Sequence, residues 1–102
     1  MEEIKEITAE ELRVKLENGE KLNLIDVRED EEVAHGMIPG AKHIKMGEIP
    51  NRLDEFSKDE EYIFICRSGN RSGTVCRYLQ DMGYKVCNMV GGMLAWDGEV
   101  TK

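Results

Sequence analysis

Short apolar runs, each too brief to make a helix, alternate along this chain with stretches whose apolar residues recur at helical spacing. Leu22 to Val27, His43 to Met46, Tyr62 to Cys66 and Lys85 to Val90 are the strand candidates. Between them lie a helix from Ala9 to Asn18, an acidic helical turn after Arg28 reaching Ala34, a short helix from Pro50 to Phe56, and a helix from Arg71 to Gly83. Strands that alternate with helices line up in parallel, and the crossover helices cover both faces of the sheet. The expected class is therefore α/β. Its punctuation agrees: Thr8-Ala9-Glu10-Glu11 reads as a capping box and Gly19 as a left-handed stop. The Gly and Pro residues of His35 to Gly40 make that stretch a loop, and Gly91-Gly92 opens a last helical turn bearing Met93, Leu94 and Trp96.

A chain of 102 residues buries enough surface for one domain, expected to span residues 1–102, and is too short for two ordinary ones. The formal net charge of -7 argues against nucleic acid as a general partner. Runs such as Glu29-Asp30-Glu31-Glu32 and Asp59-Glu60-Glu61 read as solvated faces and helix first turns, without a function. No apolar stretch approaches spanning length, so no membrane partner is expected. The start, Met1-Glu2-Glu3, lacks a basic region followed by an apolar core, so no secretory signal is expected either.

The three cysteines stand 10 and 11 residues apart, with no C-x-x-C pair. That spacing argues against a disulfide framework, and against a zinc site built from Cys66, Cys76, Cys87 and one of His35 or His43. No metal or cofactor is expected. Reduced thiols without a signal point to the cytoplasm.

One segment carries chemistry. Cys66 follows Tyr62-Ile63-Phe64-Ile65 and precedes Arg67-Ser68-Gly69-Asn70-Arg71-Ser72-Gly73, after which the helical pattern begins. A thiol at a strand end, facing a helix start, meets backbone N–H groups and the positive end of the helix dipole, both of which favour an anion. Arg67 and Arg71 push the same way, so Cys66 is expected to be a nucleophilic thiolate. Elsewhere a strand-end cysteine is a small buried hydrophobe, but two arginines, two glycines and two serines are poor core material. Cys76, in the helix next to Val75, and Cys87, in the strand between Val86 and Asn88, read as core fillers; either resolves an oxidised Cys66 only if the fold brings it close. The run Gly69-Asn70-Arg71-Ser72-Gly73 lacks a Gly-Lys-Ser/Thr ending and is not a nucleotide P-loop. On these residues alone the cradle suits phosphate or sulfur.

Four segments, in order and spacing, resemble the rhodanese-like sulfurtransferases: Ile25-Asp26-Val27-Arg28, His35-Gly36-Met37-Ile38-Pro39-Gly40-Ala41, Cys66 to Ser72, and Asn88-Met89-Val90-Gly91-Gly92-Met93-Leu94-Ala95-Trp96. The resemblance runs from Ile7 to Trp96. It implies a five-stranded, mostly parallel sheet flanked by helices on both faces, and a catalytic Cys66 that carries sulfur as a persulfide. Arg67, Ser68, Gly69, Asn70 and Arg71 would then bind the substrate, with Arg71 closing the loop. Phosphatase relatives of this fold carry an arginine six positions after the nucleophile, whereas here Arg71 comes five after Cys66 and Ser72 takes the sixth place. The shorter loop resembles a sulfur-transfer loop. The expected partners are a small anionic donor such as thiosulfate and a thiol, cyanide or protein acceptor. The rival readings are a cysteine phosphatase or arsenate reductase using the same loop, and a non-catalytic interaction module. Val90 and Cys87 depart from the family, which often carries an acidic and an aromatic residue there. Asp26 and Arg28 sit at the end of a central strand, where they can face the site; the expectation is a structural ion pair or turn cap, and Met93 and Trp96 are expected to pack in the core.

Overall fold

A computed structural model of the chain describes residues 3–102. Five strands form one sheet: β1 (Lys5–Thr8), β2 (Asn23–Asp26), β3 (Lys42–His43), β4 (Glu61–Ile65) and β5 (Lys85–Val90), in the order β1-β5-β4-β2-β3. Every strand pair is parallel. Three α-helices, α1 (Ala9–Glu17), α2 (Asp30–Val33) and α3 (Asn70–Asp81), join them, with 3-10 turns at Met46–Asn51, Leu53–Glu55 and Gly92–Ala95.

Alternation along the strands divides the core in two. On β4, Tyr62 and Phe64 face α3 with Ile25, Val75, Cys76, Leu79 and Val86. Ile63 and Ile65 face the opposite way, toward Leu12 of α1, with Leu24, Ile38, Cys87 and Met89. Each fully buried side chain of this size stabilises the fold by about 1.5–3 kcal/mol, so both faces must be covered, as the α/β class requires. Met93 and Trp96 pack partly buried against the α1 core, as expected.

Four of the strands are those expected from the apolar runs, β5 with the expected bounds and β2, β3 and β4 with shifted ends. β3 has two residues, and beyond it Ile44 buries its side chain in the α3-side core while its N–H still donates to Asp26 O at 3.0 Å. Pro50 lacks an amide proton, and the expected helix from Pro50 to Phe56 is replaced by parts of two 3-10 turns. The strand without a sequence signal is β1. It lies at the sheet edge, where only Ile7 of its four residues is buried, so no alternation shows. Its register against β5, Ile7 beside Met89, is a long-range contact. The capping box at Thr8 forms: Thr8 Oγ1 accepts from Glu11 N–H at 3.0 Å and Glu11 Oε1 from Thr8 N–H at 2.9 Å, contributing about 1 kcal/mol.

β2 and β4 are neighbours, yet the chain leaves β2 toward β3 and leaves β4 toward β5, in opposite directions. In an open parallel sheet such a divergence opens a crevice beyond the carboxyl ends of the two strands, where ligands bind. Cys66 lies there, directly after β4. No described helix is long and apolar enough to cross a membrane.

Candidate active site

The chain leaves β4 at Cys66 and makes a tight loop before α3 starts at Asn70. Gly69 makes the turn with φ 101°, a left-handed conformation that strains any residue with a Cβ. That twist aims the Gly69 N–H at Cys66 Sγ, 3.0 Å away. From the other side the last 3-10 turn holds the loop by its carbonyls. Met93 N–H donates to Cys66 O at 2.9 Å and Leu94 N–H to Arg67 O at 3.0 Å. A Cβ at Gly92 would run into those same two carbonyls, which is why a glycine stands there.

Cys66 is fully buried. Burial penalises the anion and pushes a thiol up, but the Ser72 hydroxyl and the backbone N–H groups of Ser72, Gly69 and Ser68 outweigh it, and the Cys66 thiol lies below its ordinary value. The Ser72 Oγ lies 3.2 Å from Sγ. The N-terminus of α3 adds the positive end of its dipole. The other thiols move oppositely, because burial pushes Cys76 up to about 12 and Cys87 up to about 11. Cys76 shares the α3-side core with Cys66, whereas Cys87 lies on the other face of the sheet. All three cysteines are free.

The expected cradle residues are brought together, with different tasks. Arg67, Ser68 and Asn70 are exposed at the mouth, and the Arg67 guanidinium makes no hydrogen bond or ion pair with any described residue. Arg71 is engaged: its Nη1 and Nη2 donate to Glu32 Oε1 and Oε2, both at 2.7 Å. It closes the loop by tying it to α2, and its charge acts on Cys66 from there. Glu32, from an acidic run to which no function was assigned, is thus part of the site, as are Ser72 and Asn88. Nothing local marks Glu32, whose partner is 39 residues away.

The Arg71 guanidinium holds the Glu32 carboxyl at about 2, below its ordinary 4.5. The folded value is lowered, so this stabilisation is full above about 4.5 and is lost as pH falls toward about 2. Glu32→Gln is accordingly expected to weaken the fold at neutral pH and to make little difference near pH 2. Urea unfolding of both proteins at the two pH values checks it, and an equal loss at both would contradict it.

A family model described as Rhodanese-like domain matches residues 8–99. The chain belongs to the rhodanese-like family. It is 60% identical over 97 residues to "Putative sulfurtransferase YtwF" of Bacillus subtilis (strain 168), covering 95% of this chain and 94% of that protein. It is 43% identical over 94 residues to a protein of Allochromatium vinosum named "Sulfurtransferase", covering 91% of this chain and 88% of that one. Among solved structures, a rhodanese-like domain protein from Staphylococcus aureus superposes with TM-score 0.91 at 43% identity, covering 96% of this chain and 97% of that one.

A buried ion pair stands at the end of β2, the strand beside β4 in this rhodanese-like sheet. Asp26 has no exposed surface and Arg28 only 6%. Arg28 Nε donates to Asp26 Oδ1 at 3.0 Å and Nη2 to Oδ2 at 2.9 Å; Nη2 also reaches Gly36 O at 2.7 Å. The pair thereby ties β2 to the loop after α2, the structural role expected of it. A surface cavity of about 430 Å³ lined by Arg13, Leu16, Pro39 and Trp96 does not reach Cys66.

Proposed function

We propose that this rhodanese-like domain is a sulfurtransferase that carries sulfane sulfur as a persulfide on Cys66, with residues 1–102 working as one unit. The observation that carries the reading is the convergence of hydrogen-bond donors from Ser68, Gly69 and Ser72 on a buried sulfur in a loop that Arg71 closes five residues on. The names of the relatives support the same reaction class.

The Cys66 thiolate attacks the outer sulfur of thiosulfate. A sulfur–sulfur bond forms, the bond between the outer sulfur and the sulfonate breaks, and its electron pair leaves with sulfite. Exposed Arg67 meets the incoming anion, and Ser68, Gly69, Asn70 and Arg71 frame the entrance. Because Cys66 is fully buried, the mouth widens for the donor to enter. The loop N–H groups then stabilise the anionic outer sulfur of the persulfide. In the second half, cyanide, a thiolate or a protein thiol attacks that sulfur and the Cys66 thiolate departs. The acceptor comes from outside, since the Cys76 and Cys87 thiols are held protonated and Cys87 lies across the sheet. Three free thiols suit a reducing compartment such as the cytoplasm.

Protein incubated with thiosulfate is expected to gain the mass of one sulfur atom and to lose it on addition of cyanide, with release of thiocyanate. No gain from thiosulfate or other sulfane donors, together with turnover of an aryl phosphate, would transfer the site to the phosphatase class.

A further inference from the structure

Asn88 stands on β5, 7% exposed, and takes no part in the reaction as described. A closed ring of hydrogen bonds nevertheless joins it to Cys66. Asn88 Nδ2 donates to Gly69 O at 3.0 Å, and Asn88 Oδ1 faces Ser72 Oγ at 2.5 Å. Ser72 Oγ lies 3.2 Å from Cys66 Sγ, and the Gly69 N–H donates to the same sulfur at 3.0 Å. A backbone carbonyl only accepts. The contact with Gly69 O therefore fixes which end of the amide is which, and it is the amide oxygen that faces Ser72.

The Ser72 hydroxyl has one proton and two acceptors to serve. With Cys66 as a thiol both are satisfied, since S–H donates to Oγ and O–H donates to Oδ1. With Cys66 as a thiolate the hydroxyl must turn to the sulfur, and two oxygen lone pairs are left facing each other at 2.5 Å, an expensive arrangement in a buried site. The geometry points to Asn88 as a positioning residue that sets the direction of the Ser72 hydroxyl and so opposes the empty thiolate. On the persulfide reading, loading sulfur resolves the conflict. Sγ then bonds to two atoms, the negative charge sits on the outer sulfur, and the Ser72 proton returns to Asn88. The hydroxyl turns once when sulfur is accepted and once when it is released, which raises the drive of the empty thiolate to attack a donor.

The other ionisable groups around Cys66 are exposed Arg67 next to it in the loop, Arg71 and Cys76 on α3, Glu32 of α2 through Arg71, and the Asp26–Arg28 pair on the neighbouring strand end. Substitutions at 72 and 88 leave all of them in place. The test is a double-substitution cycle read by the pH midpoint of Cys66 alkylation with iodoacetamide, using the unaltered protein, Asn88→Leu, Ser72→Ala and the two combined. Leucine keeps nearly the shape of asparagine and neither accepts nor donates. Asn88→Leu frees the Ser72 proton for the sulfur, so the midpoint is expected to lie about one pH unit lower than the same substitution produces in the Ser72→Ala background. Loss of the Gly69 contact enters both backgrounds and cancels. Asn88→Asp is the second probe if Asn88→Leu does not fold; a carboxylate holds the Ser72 proton harder, and its upward shift is expected to shrink by a similar amount when Ser72 is absent. Equal shifts in the two backgrounds, or coupling of the opposite sign, overturn the role of Asn88. The midpoint needs no sulfur donor, so a failed mass gain with the coupling intact would remove the persulfide reading alone.

Discussion

Cys66→Ser is expected to abolish formation of thiocyanate from thiosulfate and cyanide, a loss of roughly a thousandfold or more, as removal of a covalent nucleophile produces elsewhere. The loop donors are tuned to an anion: the Gly69 N–H at 3.0 Å and the Ser72 hydroxyl at 3.2 Å favour ionisation of a thiol against the opposing effect of burial. A serine hydroxyl starts far higher and stays neutral in the same cradle. It also cannot form the sulfur–sulfur bond in which the cargo is held. The substitution changes one atom, and its oxygen inherits the Gly69 and Ser72 partners, so the fold is expected to survive. Thiocyanate assay with thermal unfolding as the control separates the outcomes. Retention of a tenth or more of the activity by a folded Cys66→Ser protein would show that another group carries the sulfur, while a partner bound equally well by both proteins, with no activity in either, would favour the interaction module.

Asp26→Ala is the second large effect, expected on stability at about 3–5 kcal/mol. The carboxylate has no exposed surface and accepts from Arg28 Nε, Nη2 and backbone N–H. Its removal strands a guanidinium that is 6% exposed, with Gly36 O as its near partner at 2.7 Å. A domain of this size has roughly 5–15 kcal/mol in total, so the variant approaches the unfolding threshold. The loss also reaches the site, since Arg28 Nη1 lies 3.4 Å from Glu32 O, and Glu32 holds Arg71. Urea unfolding measures the first effect. Replacing both partners by apolar residues of similar volume is expected to restore much of the loss, because the penalty comes from the unpaired charge more than from the missing attraction. A cost below about 1 kcal/mol for Asp26→Ala would show that water reaches the pair and screens it.

What was legible in the chain is what short stretches express by themselves. The apolar run ending at Ile65 and the helical spacing of Val75 and Leu79 make β4 and α3 form side by side, and Cys66 falls between them whatever the remainder does. β1 was illegible because an edge strand of four residues with one buried side chain has no pattern to show. Glu32 was passed over because a carboxylate in an acidic run looks the same whether it meets water or Arg71. The pairing of Arg71, expected to bind the donor and close the loop, with Glu32 of α2 had no local signal either, and exposed Arg67 is the loop cation without a partner among the described residues.

The chain order alone settled the α/β class, the position of Cys66 at a strand end before a helix, and the loop length from Cys66 to Arg71, because each depends on residues within a few positions of one another. Only the tertiary structure decided which groups surround that sulfur. Asn88 reaches Ser72 across 16 positions and Glu32 reaches Arg71 across 39, contacts set by strand order and packing rather than by local preference. Strand order depends on which apolar faces bury best against each other over the whole chain, and no short window contains that comparison.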